Sequence, residues 1–379
     1  MIDPLDFLAG MKGANIRFVT GVPDSLLKDI CACITVNFDT KHHTIASNEG
    51  SAVALAIGHY LATANPALVY MQNSGLGNIV NPLLSLADPK IFGVPMVLLI
   101  GWRGEMGPGN IQTKDEPQHI AQGQVTLELL DTIGIPHTVI SANTPSIGSV
   151  LQQATEESLH RSGPVALVVR KNTFTPFDLP AAPSKLELSR EEAIKQIVSV
   201  LPADVPVVST TGMASRELFE LRKLSHSGHQ RDFLTVGGMG HASQIAAGIA
   251  LAMPNQRVVC IDGDGALLMH SGGLAVSSEC SNLIHIVLNN AAHDSVGGQP
   301  TKGEKLHFDQ IANAFGYAHV FCVDNAVELR KTLTKILELK ASAFLEISCK
   351  RGARSDLGRP DQTPDQNKGE FMDFLGAIQ

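Results

Sequence analysis

The stretch VVCIDGDGALLMHSGGLAVSSECSNLIHIVLNN, Val258–Asn290, holds two apolar runs that each end in oxygen-bearing residues. Val258–Ile261 runs out into Gly263-Asp264-Gly265, and Ile284–Leu288 into Asn289-Asn290. In parallel α/β sheets, ligands bind beyond the carboxyl ends of the strands, at the switch point. Glycines at 263 and 265 let the backbone approach a ligand closely, and a helix opening there directs free N–H groups at it. A carboxylate, an amide oxygen and a nearby main-chain carbonyl form a hard, oxygen-only set. Such a set suits Mg²⁺, which takes one or two protein carboxylates and fills its octahedron with phosphate oxygens and water. Asp264 and Asn290 are therefore expected to hold a metal-bound diphosphate. Either turn alone is ordinary punctuation; the expectation rests on the two together, each after a buried strand.

These residues need parallel strands to place them, and the chain supplies short Val- and Ile-rich runs alternating with helical patterns. Strand candidates are Ile16–Val19, Ala67–Met71, Pro95–Ile100 and Val165–Val169, then Val205–Ser209, Phe233–Val236, Val258–Ile261, Ile284–Leu288, His319–Val323 and Phe344–Ile347. Near-continuous apolar strands between helices indicate parallel sheets covered on both faces. Asn172–Arg190 interrupts the alternation with three prolines. The expected organisation is two doubly wound α/β domains, residues 1–173 and 189–379, with a linker over 174–188. Ser189, three residues before Glu192, is the expected N-cap of the helix that opens the second half.

Bulk properties narrow the function. The 379 residues carry a formal charge of −8, with 44% apolar and 17% charged residues. That balance argues against nucleic acid, which requires a basic face, and leaves an anionic substrate dependent on a local basic cluster. No apolar run approaches 18 residues, so no membrane span is expected, and the start MIDPLDFLAGMKG lacks the pattern of a signal peptide. The six cysteines include no CxxC pair and read as reduced structural thiols of a cytoplasmic protein.

GDG followed by NN resembles the fingerprint of the thiamin-diphosphate decarboxylase superfamily. The resemblance implies Mg²⁺ bound by Asp264, the side chain of Asn290 and the carbonyl of Ala292, with Gly263, Gly265 and Ala266 against the cofactor. STTGMASRELFE, Ser209–Glu220, is similar to the family's diphosphate turn and points to Thr211, Gly212, Met213 and Ser215. In ASNEGSAVALAIGHYLAT, Glu49 stands where the family keeps the carboxylate that hydrogen-bonds the aminopyrimidine ring. In TVGGMGHASQIAAGIALAM, Met239 takes the place of the apolar wedge beneath the cofactor, and the carbonyl of Gly237 would accept the 4′-amino hydrogen. The family's cofactor lies between subunits, so the resemblance also implies a homo-oligomer with shared active sites.

Most such decarboxylases carry a central third domain, for which this chain has no space. The short form resembles the phosphonopyruvate and sulfopyruvate decarboxylases. GVPDSLLKDI, QNSGLGNIVNPLLSLAD, GWRGE with KDEPQHIAQG, NNAAHDSVGGQPT and RSDLGRP look closer to the former. A departure is the insert at Met106–Thr113. The implied reaction is loss of CO₂ from 3-phosphonopyruvate to give phosphonoacetaldehyde, in phosphonate biosynthesis. Asp24 and Ser25 follow the first strand and, with Glu49, His119 and His293, are the candidate catalytic groups. Arg103, Lys114, His119 and Arg354 are the candidate substrate contacts, since Arg can grip a phosphonate bidentately. Sulfopyruvate decarboxylation and a carboligating transfer stay open as alternatives.

Overall fold

A computed structural model describes residues 1–180 and 184–376. Ala181, Ala182 and Pro183 of the expected linker lie outside the described residues. The chain divides into two compact units, Met1–Ala181 with Val296–Gln299, and Ala182–Ser295 with Pro300–Gln379.

The first unit is built on β1 Val19–Gly21, β2 His43–Ile45, β3 Ala67–Gln72, β4 Met96–Gly101, β5 His137–Ile140 and β6 Pro164–Val169. All pair in parallel, in the order β2-β1-β3-β4-β6-β5. Alternate residues enter separate cores: Leu68, Tyr70, Val97 and Leu99 on one face, Val69, Met71, Leu98 and Ile100 on the other. Burial on both faces is why the central strands read as unbroken apolar runs. A fully buried aliphatic side chain contributes roughly 1.5–3 kcal/mol.

The second unit repeats the arrangement with β7 Val207–Ser209, β8 Asp232–Leu234, β9 Val258–Gly263, β10 Leu283–Asn289, β11 His319–Val323 and β12 Ala343–Ser348. Its order is β11-β12-β10-β9-β7-β8, again all parallel. Read from the other edge, this is the first sheet's order with six added to each number. The fold class is the expected one.

Three local features go beyond the sequence reading. β2 and β5 are edge strands of three and four residues, half-exposed and headed by histidine, so neither formed an apolar run. The first strand begins at Val19 rather than Ile16, because the chain turns left-handed at Asn15 before pairing starts. The polar tail ends in a helix, Pro364–Phe374, closed at its start by a Thr363–Gln366 capping box. Asn367 on that helix bonds the backbone of edge strand β8, accepting from Leu234 N–H and donating to the Asp232 carbonyl. As expected, Ser189 caps the helix Arg190–Val200, accepting from Glu192 N–H at 3.1 Å.

A buried ion pair fixes the helix Met213–Leu224 against β8. Arg222 and Asp232 are both fully buried, and Arg222 Nε and Nη2 donate to the two carboxylate oxygens at 2.8 and 2.9 Å. Removing one member of such a pair strands the other charge, at a cost of about 3–5 kcal/mol. Arg222→Ala is expected to lower the unfolding free energy measured in urea by that amount; an unchanged midpoint would show that the pair does not clamp the helix.

Candidate active site

In the second sheet, neighbours β7 and β9 send their connections in opposite directions, β7 to β8 and β9 to β10. The loops after them part and open a crevice. After β7, Thr211 and Gly212 lead into the helix Met213–Leu224, whose N-cap Gly212 adopts φ 92° and supplies no side-chain cap. The left-handed φ suits glycine, and a Cβ there would overlap Ser295 Oγ. Met213 N–H instead donates to Ser295 Oγ at 3.3 Å. Ser215 is buried and donates back to the Thr210 carbonyl at 2.7 Å, so its hydroxyl closes the turn.

After β9, Asp264 opens the short helix Asp264–Met269, which includes Gly265 and the buried Ala266. The carboxylate is buried, and burial raises its pKa to about 6 against donation by the Thr301 hydroxyl and the N–H groups of Gly265, Asp264 itself and Asn290. Asp264 stands directly after β9, as expected. Two N–H groups at this helix start turn onto its own carboxylate rather than outward. The connection to β10 runs through two short helices, Asp264–Met269 and Leu274–Glu279.

Asn290, after β10, is buried; its Nδ2 donates to Asp294 Oδ2 at 2.6 Å, and its Oδ1 accepts from Ala292 N–H at 3.2 Å. Ala291 takes the left-handed φ of 52° that turns the chain here, and Ala292 bridges Pro300. A Cβ on Gly265 would lie 3.2 Å from His293 Cε1 and 3.3 Å from Met239 Cε. Met239 and His293 thus meet the GDG turn from two different loops. Desolvation pushes His293 down to about 4, so its imidazole is neutral at neutral pH. Gly237 lies in the same loop as Met239, between β8 and the helix Ala242–Ala252.

The first sheet parts in the same way between β1 and β3. Asp24, after β1, is fully buried; Gln72 Nε2 donates to its Oδ1 at 2.7 Å and Leu26 N–H to its Oδ2 at 3.0 Å. Burial raises its pKa despite these donors and the nearby Arg103. A side chain at Gly101, the end of β4, would overlap Asp24 Oδ2. Arg103 follows β4, with Nη1 donating to Ser25 Oγ at 2.8 Å and Nε and Nη2 to Asp115 at 2.8 and 2.5 Å. Its bidentate edge, expected to be open for an anion, is therefore occupied by Asp115. His119 is buried, which lowers its pKa, and lies close enough to feel Arg103 and Asp115; Lys114 is exposed. Glu49 begins the helix Glu49–Thr63, buried, with Asn78 Nδ2 donating to its Oε2 at 2.7 Å and Gly75 packed against it. The Met106–Thr113 insert is a tight hairpin, with Met106 bridging Gln112 and Gly107 N–H donating to Ile111 O at 2.8 Å.

Arg354 pairs with Glu191 at 3.0 Å, with Asp356 at 3.1 Å and with Glu220. Like Arg103, it already carries carboxylate partners that an incoming anion would have to share or displace.

Residues 6–127 match the model described as thiamine pyrophosphate enzyme, N-terminal TPP binding domain, and residues 210–347 match its C-terminal TPP binding domain counterpart. A phosphonopyruvate decarboxylase of Streptomyces viridochromogenes is 32% identical across 99% of this chain and 95% of its own length. The chain belongs to the phosphonopyruvate decarboxylase family of thiamine pyrophosphate enzymes. A second phosphonopyruvate decarboxylase, from Streptomyces hygroscopicus, is 31% identical over 99% of this chain and 94% of its own. The sulfopyruvate decarboxylase subunit beta of Methanothermobacter thermautotrophicus is 37% identical over 34% of this chain and 68% of its own length.

The residues present fit the family's cofactor. Gly212 supplies no side-chain cap, and Met213 N–H meets only the Ser295 hydroxyl, at 3.3 Å; main-chain N–H groups at such a helix start suit a diphosphate. Asp264, the Asn290 amide oxygen and the Ala292 carbonyl are all hard oxygen donors. Sequence reading missed the partners that hold these groups: Thr301 on Asp264, Asn78 on Glu49, Gln72 on Asp24, Asp115 on Arg103 and Asp294 on Asn290. Asp115 and Asp294 stood inside segments already singled out, and a carboxylate there next to needed polar groups was the available signal. Among the described residues, no helix is long and apolar enough to cross a membrane, and all six cysteines are free thiols.

The state of Asp264 can be tested directly. Its folded pKa of about 6 lies above the ordinary carboxylate value of 3.8, so the buried carboxylate costs stability above pH 6 and nothing below about pH 4. In the metal-free protein, Asp264→Asn is expected to raise stability by roughly 2–3 kcal/mol at pH 8, with the gain fading between pH 6 and 4. Thermal midpoints across pH 4–8 measure it; a pH-independent difference contradicts the burial cost.

Proposed function

We propose that this chain decarboxylates 3-phosphonopyruvate to phosphonoacetaldehyde and CO₂, with thiamin diphosphate anchored through Mg²⁺. The observation that carries the reading is full-length likeness to phosphonopyruvate decarboxylases. When bound, thiamin diphosphate would supply a carbon nucleophile for the keto group and a cationic ring that takes up the electron pair released with CO₂. The chain's own residues hold, orient and protonate. Asp264, Asn290 Oδ1 and the Ala292 carbonyl hold the cation, and the Gly212–Met213 turn with Thr211 takes the diphosphate. Met239, Gly237 and His293 line the ring side, and Glu49, its Oε2 fixed by Asn78, serves the aminopyrimidine. Asp24, oriented by Gln72 and with its pKa raised by burial, is the proposed acid–base group.

The substrate has three anionic or polar groups to place: the departing carboxylate, the keto oxygen and the phosphonate. Arg103 Nη1 beside Ser25 Oγ is the proposed phosphonate contact, with Lys114 and His119 on the following segment. Because Asp115 already occupies the Arg103 fork, an incoming anion must share or displace a carboxylate. A phosphonate, with up to two charges, competes better than a singly charged sulfonate. That difference favours phosphonopyruvate over sulfopyruvate.

Initial rates of CO₂ release from phosphonopyruvate, sulfopyruvate and pyruvate test the assignment, and trapping free aldehyde separates decarboxylation from carboligation. Phosphonopyruvate is expected to give the highest kcat/KM; a higher value for sulfopyruvate overturns the reading. A hydrogen bond to a charged group is worth about 1.5–3 kcal/mol. Arg103→Ala should therefore lower kcat/KM for phosphonopyruvate roughly 10- to 150-fold without weakening thiamin diphosphate binding. Unchanged kinetics would take Arg103 out of the substrate pocket.

The proposed active unit is at least a dimer in which one subunit supplies Glu49 and another Asp264. Mixing inactive Glu49→Ala and Asp264→Ala proteins under subunit exchange is expected to restore part of the activity. No recovery after proven exchange would count against a shared site.

A further inference from the structure

Behind Asn290 lies a buried ionic chain that none of the proposed contacts uses. Asp294 Oδ2 accepts from Asn290 Nδ2 at 2.6 Å, from Arg190 Nη1 at 2.7 Å and from Gly352 N–H at 3.0 Å. Arg190 turns its other edge to Glu217, with Nε and Nη2 donating to the two carboxylate oxygens at 2.8 and 2.9 Å. Arg190 and Glu217 are buried. Glu217 belongs to the helix Met213–Leu224, which starts at the Gly212 turn, and Asp294 follows Asn290 by four residues. Arg190 therefore joins the helix of the expected diphosphate turn to the loop of the expected metal ligand.

The chain also decides which way the Asn290 amide faces. A carboxylate oxygen only accepts, so the amide nitrogen must point at Asp294 and the amide oxygen away from it. Rotating the amide by half a turn would set two acceptors against each other in a buried site, a loss of the kind that leaves both groups unsatisfied. Oδ1 already accepts from Ala292 N–H and keeps its second lone pair for a cation. A buried ion cluster is weak evidence for stability, because well-packed apolar residues often do as well. Orienting a polar group is something apolar residues cannot do.

We propose that Asp294, clamped through Arg190 to Glu217, is the positioning residue that presents Asn290 Oδ1 to the divalent cation. The inference rests on the reading of Asn290 as a ligand. Partners that orient metal ligands typically change affinity 10- to 100-fold when removed. All three donors converge on one Asp294 oxygen, so hydrogen bonding and charge can be separated. Asp294→Asn can keep an oxygen there while losing the charge; Asp294→Ala loses both.

The test is calorimetric titration of Mg²⁺ into the full chain with saturating thiamin diphosphate and no substrate. Asn290→Ala serves as the reference. If it leaves Mg²⁺ affinity unchanged, the ligand assignment itself has failed, and this inference falls with it. Given a loss in Asn290→Ala, Asp294→Ala is expected to weaken Mg²⁺ 10- to 100-fold, and Asp294→Asn by only a few-fold. The double variant Asn290→Ala/Asp294→Ala should bind no more weakly than Asn290→Ala alone. Additive losses, or an Asp294→Asn as weak as Asp294→Ala, would show that Asp294 acts by charge rather than through the Asn290 amide and overturn the proposal. Should Asp294→Ala fail to fold by circular dichroism, Asp294→Asn and its double variant with Asn290→Ala carry the same comparison: Asp294→Asn must stay within a few-fold of wild type.

Discussion

The divergence of loops at two places in two parallel sheets governs what the rest of the chain can do. A strand covered by helices on both faces can carry polar chemistry only where its loop is free of the crossover that follows. Between β1 and β3, and between β7 and β9, neighbouring connections leave in opposite directions. The polar residues that matter stand at or beside those ends, while the strands behind them are buried along nearly their whole length. Polar groups at such ends are still partly or fully withdrawn from water. Each then needs its own donor or acceptor, and most of the structure around the site serves to provide one.

The shared strand order of the sheets shows how little architecture alone decides. Corresponding ends carry different chemistry. Asp24 follows β1, while Thr211 and Gly212 follow β7; Gln72 ends β3, while Asp264 follows β9; Arg103 follows β4, while Asn290 follows β10. One sheet places its lone carboxylate one strand away from where the other does. The same scaffold therefore presents a carboxyl–guanidinium cluster in one unit and an oxygen-donor and N–H set in the other, in line with function residing in sites rather than folds.

What the sequence made legible follows from periodicity and proximity. Ten of the twelve strands overlap apolar runs, because burial on two faces leaves an unmistakable composition. GDG and NN were legible because each sits directly after such a run. β2 and β5 were not, since short edge strands need satisfy only one neighbour and tolerate His43, Thr44 and His137. The Arg190–Glu217–Asp294 chain was hidden for a different reason. Its members lie 27 and 104 positions apart in sequence, and no local pattern marks a contact closed by tertiary folding. The carboxylates around Arg354 were hidden for the same reason: Glu191 and Glu220 lie far from it in sequence.

Two carboxylates at strand-end loops illustrate how the environment sorts them. Asp115 is partly buried, which alone would raise its pKa, yet the Arg103 hydrogen bonds and the N–H groups of Glu116 and Gly104 hold it well below the usual carboxylate range. Asp264 is more deeply buried and receives only dipoles, a hydroxyl and main-chain N–H groups, and its pKa rises to about 6. Hydrogen bonds from neutral donors lower the cost of burying a charge but do not cancel it as a paired cation does. Asp115 has been given its positive charge by the fold. Asp264 has been given geometry without charge, with the main-chain N–H of Asn290 among its donors. A buried carboxylate left short of positive charge is one whose burial cost a nearby cation would offset.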